Sequence, residues 1–341
     1  MTLSTAQLKM RRSGITATDL SAVLGENPWH KPIDVWMDKM GYTQLQKQTG
    51  EQAAMGHAFE SAVAQFYKKT CCPEGKHWRI YAPNFSVRHP TVSWAIATPD
   101  RYVFEADKTE PIINAQHGGA VAGQAHHLLE VKLVGPRALD KWLLRDDDSD
   151  VEVEADRIPS YVYCQTQWQM FVTGYDRCDV AAQLGGTSFR KFEVLRDEEF
   201  LSHAVQEAGR FWTYNVLGKK QPEPDGSASY KRFLDKTYPR DNKLIELVEA
   251  PPEAEALAAQ YKEYCDRKAA ADKEREFFSQ KLKALIGDRP GFQAPWGKAT
   301  WTTGNGKVDY AALIHDLDVP KETIDKYRAT QRTLRVTLKK G

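Results

Sequence analysis

No stretch of this 341-residue sequence approaches the roughly 20 consecutive apolar residues needed to span a bilayer. MTLSTAQLKMRR also lacks the apolar core of a secretory signal. Both absences argue against a membrane or exported protein. Cysteine is scarce: the five residues Cys71, Cys72, Cys164, Cys178 and Cys265 are an odd number without a Cys-x-x-Cys spacing. That usage speaks against a disulfide framework, a zinc site or an iron–sulfur cluster, and it places the chain in a reducing compartment, read here as the cytoplasm. An excess of either charge is missing as well, with 47 Lys and Arg against 46 Asp and Glu and a net charge of +1. Composition therefore gives no basic footprint for nucleic acid, although a groove can gather cations locally while the outer surface balances them. At this length the chain can bury a sizeable core and is expected to carry one large domain plus an appendage.

What is present is charge where strand composition makes charge expensive. Asp100, in SWAIATPDRYVF, and the triplet Glu130-Val131-Lys132, in HHLLEVKLVG, sit in runs rich in apolar and β-branched residues, and a buried carboxylate without a partner is costly. Alternation along a strand turns Leu129, Val131 and Leu133 into a core and puts Glu130 and Lys132 together on the other face. If the two strands pair, Asp100 lies beside Glu130. Carboxylates converging in this way hold a hard divalent cation through oxygen, and a neighbouring lysine can orient or deprotonate a water. By itself a Glu-x-Lys on a strand is ordinarily a solvated face. The Pro-Asp pair upstream is what makes the combination specific.

Further signals flank this centre. Arg11 and Arg12 precede a small-residue turn in which Thr16 or Thr18 is the natural N-cap of a helix over residues 19–24, ended by Gly25. A second amphipathic helix begins at Pro32 and runs through Ile33, Val35, Trp36 and Met40. Helix starts attract anions, so phosphate is the candidate ligand for this arm; the alternative is a plain cap with solvated arginines. A helix over 52–69 carries Met55, Phe59, Val63 and Phe66 as an apolar stripe facing the core, with Glu60 beside it and His57 read as structural or exposed. Residues 78–104 read as an antiparallel meander with turns at Pro83-Asn84 and His89-Pro90. The long connection 105–127 carries His117, His126 and His127 on a loop, a poor arrangement for a metal. A helix over 137–145 and an acidic loop follow. Tyr161, Gln165, Trp168 and Val172 then recur at helical spacing, with Gln169 one turn beyond Gln165, and the helix ends at Gly174 before a buried strand, CDVAAQL.

In order, RRSGITATD, GHAFE, ATPD, LEVK and YVYCQTQWQMFVTG resemble the YqaJ-type viral recombinase family, relatives of lambda exonuclease within the PD-(D/E)XK nuclease superfamily. The resemblance covers about residues 8–215. It implies an α/β (α+β) fold with a restriction-endonuclease-like core, a central mixed sheet flanked by helices. It implies that Asp100, Glu130 and the carbonyl of Val131 bind Mg2+, with Mn2+ a possible substitute. Lys132 would activate or position the attacking water, Glu60 and Gln165 would complete the site, and Arg11 and Thr18, with Arg12 able to share the role, would hold the 5′-phosphate of the strand being digested. The implied activity is a 5′-to-3′ double-stranded DNA exonuclease that leaves 3′ single strands for phage-type recombination, working with a single-strand annealing protein and forming a ring, commonly a trimer, in a bacterial host. A PD-(D/E)XK endonuclease and a non-catalytic DNA-binding recombination scaffold are the alternatives. The sequence departs from lambda exonuclease in a longer connection between Asp100 and Glu130 and in everything after about residue 220.

The expected division is a nuclease domain over 1–217, a linker over 218–252 rich in Pro, Gly and Ser, and an extension over 253–341. The extension reads as one long helix over 253–286 followed by a small β-rich unit. Leu257, Tyr261, Tyr264, Lys268, Ala271, Arg275, Phe278, Leu282 and Leu285 form a heptad seam interrupted by two cations, which suits docking on a partner surface better than a long homodimeric coiled coil. The β-rich unit is expected as a ββαβ arrangement: ATWTT, a GNG turn, KVDY, a helix near 311–317 and TLRVTLKK.

Overall fold

The computed structural model describes residues 5–43, 51–83, 85–105, 125–142, 151–186, 188–238, 249–303 and 309–327. The chain divides into two compact units, Met1–Tyr238 and Pro239–Gly341. Among the described residues no helix is long and apolar enough to cross a membrane.

The first unit opens with α1 (Thr5–Arg12), α2 (Ala17–Val23), α3 (Pro32–Lys39) and α4 (Glu51–Cys71). Helix α1 leaves little trace in the sequence, because LKMRR carries too little apolar pattern to mark it. Thr16 is the cap of α2: its side chain accepts from the Asp19 backbone and Asp19 answers to the Thr16 backbone, a reciprocal capping box. Ile15 donates to Trp94 O at 2.7 Å and accepts from Ile96 N at 2.9 Å. Gly14 lets these backbones close up, since a Cβ there would stand 2.2 Å from Trp94 O.

Next come β1 (Trp78–Tyr81), β2 (Val87–Arg88), β3 (Ile96–Ala97), β4 (Arg101–Glu105) and β5 (His127–Val134). They are followed by β6 (Glu152–Val153), α5 (Ser160–Thr173), β7 (Arg177–Leu184), β8 (Ser188–Leu195) and α6 (Glu198–Arg210), with α6 running into a π-helical segment, Phe211–Leu217. The main sheet has six strands in the order β1-β4-β5-β7-β8-β6. Its pairings are mixed, with β5 parallel to β7 across α5 and β4 antiparallel to β5. This is the expected central mixed sheet flanked by helices. The expected meander differs in one respect: β1 pairs with β4, while β2 and β3 pair only with each other. Of the turns, His89-Pro90 lies between β2 and β3, and Asn84 is outside the described residues. The 137–145 helix is a 3-10 turn, Pro136–Lys141, whose continuation lies outside them too.

Strand alternation separates the two faces of the sheet. Leu128 and Val134 pack toward α5 with Val162 and Met170, while Leu129 and Val131 pack toward α4 with Val63, Ala64 and Tyr67. Leu133, expected in the same core, is left 38 % exposed at the end of its strand. The stripe assigned to α4 is corrected as well: Val63 is buried, but Met55, Phe59 and Phe66 are each close to half exposed. The helix is rotated so that the Val63, Ala64 and Tyr67 face meets the sheet, which places Glu60 one turn before the buried face.

His127 belongs to β5 rather than to a loop. It is fully buried and meets Tyr67 Oη at 2.7 Å, and Tyr67 in turn donates to Asp179 Oδ2. Arg177 clamps Asp179 through Nε at 2.7 Å and Nη2 at 2.8 Å. His126 Nδ1 stands 2.7 Å from His127 Nδ1, so both imidazole nitrogens of His127 are occupied and neither is free for a metal. His117 and much of the connection lie outside the described residues, as does the side chain of His57.

The expected linker contains a helix, α7 (Ala228–Thr237), capped by Ser227 and anchored by buried Tyr230 and Phe233. Phe233 meets Trp36 of α3 edge-on at 5.9 Å, so the first unit extends to Tyr238 rather than ending near 217. In the second unit α8 (Ala254–Ile286) is the expected long helix, and Ile286 is its one buried residue among those described. The seam residues Leu257, Tyr264, Phe278 and Leu285 are exposed. The hairpin lies earlier than expected, β9 (Gly291–Ala294) with β10 (Gly297–Thr300). Asp309, placed in a strand by the sequence, instead caps α9 (Tyr310–Asp316), and α10 (Lys321–Tyr327) follows. The GNG turn and TLRVTLKK fall outside the described residues.

Burial pushes the His127 imidazole down to about 3, while Arg177, His127 and Tyr67 hold the Asp179 carboxyl below its usual range against its own burial. Between about pH 6.5 and about pH 3, the unfolded chain binds a proton at residue 127 that the folded chain refuses. Stability should therefore fall with pH through this window, by up to about 1.4 kcal/mol per unit. Urea unfolding from pH 7.5 to 5 is expected to show this slope, and His127→Gln is expected to flatten it; equal slopes would remove His127 as the cause.

Candidate active site

The site forms where the pairing of β4 with β5 stops. The last pair is Arg101 with Leu129, so the next N–H on that edge of β5, that of Val131, has no strand to bond. Asp100, just ahead of β4, supplies the acceptor, with its Oδ2 3.0 Å from Val131 N. This contact places Asp100 beside Glu130, the neighbour expected if the two strands pair.

Glu130 faces α5 and is 1 % exposed. Its Oε1 accepts from Lys132 Nζ and from Gln165 Nε2, and its Oε2 accepts from Gln169 Nε2 at 2.8 Å. Lys132 Nζ also donates to Gln165 Oε1 at 2.9 Å. Gln165 and Gln169 are one turn apart on α5, so one helix face satisfies both oxygens of the carboxylate. Gln169 was visible in the sequence as the residue one turn past Gln165, but nothing in the pattern gave it a partner. Burial, then the charges of Glu130 and Glu60, push the Asp100 carboxyl well above its usual range. Burial favours a neutral Lys132, yet Glu130 and Asp100 outweigh it and hold the ammonium charged.

One cavity of about 830 Å³ is lined by Asp100, Glu130, Lys132 and Gln165, and also by Glu60, Arg11 and Thr18. Glu60 Oε1 lies 3.8 Å from Arg101 Nη1. Arg11 Nη2 reaches Thr16 Oγ1 at 3.5 Å, while Thr18 is exposed on the first turn of α2. Lys39 pairs with Asp19 at 2.6 Å. Burial works against ionisation of Asp19, but Lys39 and then Arg11 hold its pKa below the usual range. Arg12 departs from its expected place: its guanidinium bonds Asp38 Oδ1 through Nε and Nη2, each at 3.1 Å, and also Thr43. It does not line the cavity, because the carboxylate of α3 has already claimed its donors.

Among the described residues no three His, Cys, Asp or Glu side chains close on one point in the manner of a metal cage. The available donors are hard oxygens, the carboxylates of Asp100 and Glu130 and the carbonyl of Val131. Asp100, Glu130 and Glu60 line this cavity with Lys132, Arg11 and Arg101, and three carboxylates gathered on one pocket favour a cation there. That donor set fits an oxygen-seeking divalent cation.

A mixed α/β domain thus gathers an Asp, and a Glu-x-Lys on the neighbouring strand, where the ladder between two inner strands of its main sheet ends. The chain belongs to the YqaJ-like viral recombinase domain family, whose profile matches residues 7–176. It is 28 % identical over 244 residues to the protein YqaJ of Bacillus subtilis (strain 168), covering 70 % of this chain and 66 % of that one. It is 25 % identical over 172 residues to protein R354 of Acanthamoeba polyphaga mimivirus, covering 50 % of this chain and 27 % of that one. The chain thus spans about two thirds of the first relative's length and about a quarter of the second's. Among solved structures, an alkaline exonuclease (LHK-Exo) from Laribacter hongkongensis overlaps 69 % of this chain and 100 % of its own at 15 % identity and a TM-score of 0.42. Its complex with dAMP gives 14 % identity, 69 % and 97 % coverage and the same TM-score, 0.42.

Gln169→Leu is expected to strip Glu130 Oε2 of its buried donor and to destabilise the first unit by about 1–3 kcal/mol. Urea unfolding in the presence of a chelator measures this; an unchanged midpoint would mean that Gln169 does not hold the carboxylate.

Proposed function

We propose that the chain is a metal-dependent deoxyribonuclease that hydrolyses phosphodiester bonds of duplex DNA from an end. The observation that carries this reading is the pairing of Asp100 with the Val131 N–H beside a Glu130 that shares Lys132 and Gln165. Asp100, Glu130 and the Val131 carbonyl would hold the cation, taken as Mg2+ with Mn2+ a substitute, which supplies positive charge to activate water and to stabilise charge building on the phosphate. Lys132 is held as an ammonium and so acts as a donor, orienting water against the phosphate rather than taking its proton. Gln165 fixes the Lys132 amine and the Glu130 carboxylate together. Glu60, opposite Arg101, adds negative charge to the pocket.

The finer reading is a 5′-to-3′ exonuclease that leaves 3′ single strands for recombination by an annealing protein. It is supported by the family and by the place of Arg11 and Thr18 on the same cavity as the carboxylates. A terminal phosphate carries more charge than an internal diester and would meet the Arg11 guanidinium and the Thr18 hydroxyl there. A closed ring of subunits around the duplex would account for processive digestion.

With Mg2+, linear duplex should be degraded and covalently closed circles left intact; cutting of the circles would identify an endonuclease, and no digestion of either would identify a binding scaffold. Asp100→Ala, Glu130→Ala and Lys132→Ala should each lower the rate by several decades, on the order of several kcal/mol of transition-state stabilisation. Ends bearing a 5′-phosphate should be digested faster than 5′-hydroxyl ends, and Arg11→Ala should narrow that gap. Equal rates in the wild type would dismiss the phosphate pocket, and digestion starting only from 3′ ends would dismiss the polarity.

A further inference from the structure

The connection between α2 and α3 holds an indole in water beside the active site, and the hold is firm. Asn27 is 3 % exposed and donates to Ser21 Oγ at 3.0 Å. Its Oδ1 accepts from the backbone N–H groups of both Trp29 and His30 at 2.9 Å, and its carbonyl accepts from Lys31 Nζ at 2.8 Å. The loop is thus tied down on every side of Trp29, yet the Trp29 side chain is left with the residue 56 % exposed. One edge of the indole meets Tyr161, with ring centroids 5.1 Å apart and planes at 76°. Tyr161 sits one turn before Gln165 on α5 and lies close enough to Lys132 to feel its charge. Trp29, His30, Tyr161 and Lys132 line the same cavity.

A rigid loop that presents a large apolar ring to water gives up burial without gaining flexibility, so the ring is positioned for a ligand with a flat face. We propose that Trp29, braced by Tyr161, stacks on a nucleobase at the end of the duplex and so positions the strand whose phosphate lies at Lys132. This rests on the nuclease reading and adds a specificity determinant to it. The chemistry suits the place, since a base hangs one sugar away from its phosphate and every base offers a π-face, which makes stacking indifferent to sequence. Trp29 is a positioning residue with no part in bond cleavage.

The test is binding of the full chain, in chelator so that nothing is cut, to a fluorescently labelled hairpin duplex with one open end. It is compared with the same hairpin carrying abasic nucleotides at the last three positions of each strand in turn. Trp29→Ala should weaken binding to the intact hairpin by about ten-fold or more, and Trp29→Phe should restore most of it. The abasic end should weaken binding by wild type and have little further effect on Trp29→Ala, because the same contact is lost in both. Equal affinity of wild type for intact and abasic ends overturns the stacking role without reference to any variant's folding. Losses from the variant and the abasic end that simply add also overturn it. A wild type that binds no hairpin at all fails the nuclease reading itself, which separates the two conclusions.

Discussion

A single carboxylate sets the terms for the first unit. Glu130 is buried on the face of the sheet that packs against α5, and a charge in that position is tolerable only if it is paired and hydrogen-bonded. Lys132 is reached because the strand's own alternation brings it to the same face. The glutamines are reached because α5 is the crossover that lets β5 and β7 run parallel. The topology therefore delivers its helix where the carboxylate needs donors. Asp100 is added by a different route, through an amide that the end of the β4 ladder leaves over. Fold and site are one set of hydrogen bonds.

Much of this was legible because it broke a rule of composition. Acidic residues in β-branched runs stand out, and so do the helix with Gln165 and Gln169 one turn apart and the threonines at the start of α2. What escaped did so for physical reasons. Periodicity identifies a helix but cannot choose between adjacent stripes, so Met55, Phe59 and Phe66 were read as core when the neighbouring stripe of Val63, Ala64 and Tyr67 was the buried one. His127 was assigned to a loop because two histidines look polar, whereas Tyr67 and Asp179, 60 and 52 residues away, give it a buried network. Helix α7 hid in a segment whose Pro and Gly content suggested a linker, although Tyr230 and Phe233 carry enough apolar surface to anchor it on α3.

The two faces of β5 divide labour. Toward α5 the polar residues are exposed to a cavity and held by partners that a ligand could also address. Toward α4, His127, Tyr67, Asp179 and Arg177 satisfy one another's polar groups away from that cavity. Lys191, 6 % exposed, stands 3.8 Å from Asp179 and 2.8 Å from Glu152, so the charge of the interior leads outward along the β8 and β6 edge. Similar residue types thus close up on one side and line an open cavity on the other.

Gly14 touches neither carboxylate nor lysine, yet its missing side chain sets how the parts of the site are registered. Because Trp94 O fills the space a Cβ would need, the backbone ahead of α2 lies flush against the strand that leads, six residues later, to Asp100. The arm carrying Arg11 and the segment leading to Asp100 are thereby machined to a common datum, and the spacing between the two ends of the cavity they line is a dimension of the backbone. An alanine at this position would act as a shim, shifting the measure while leaving every chemical group in place.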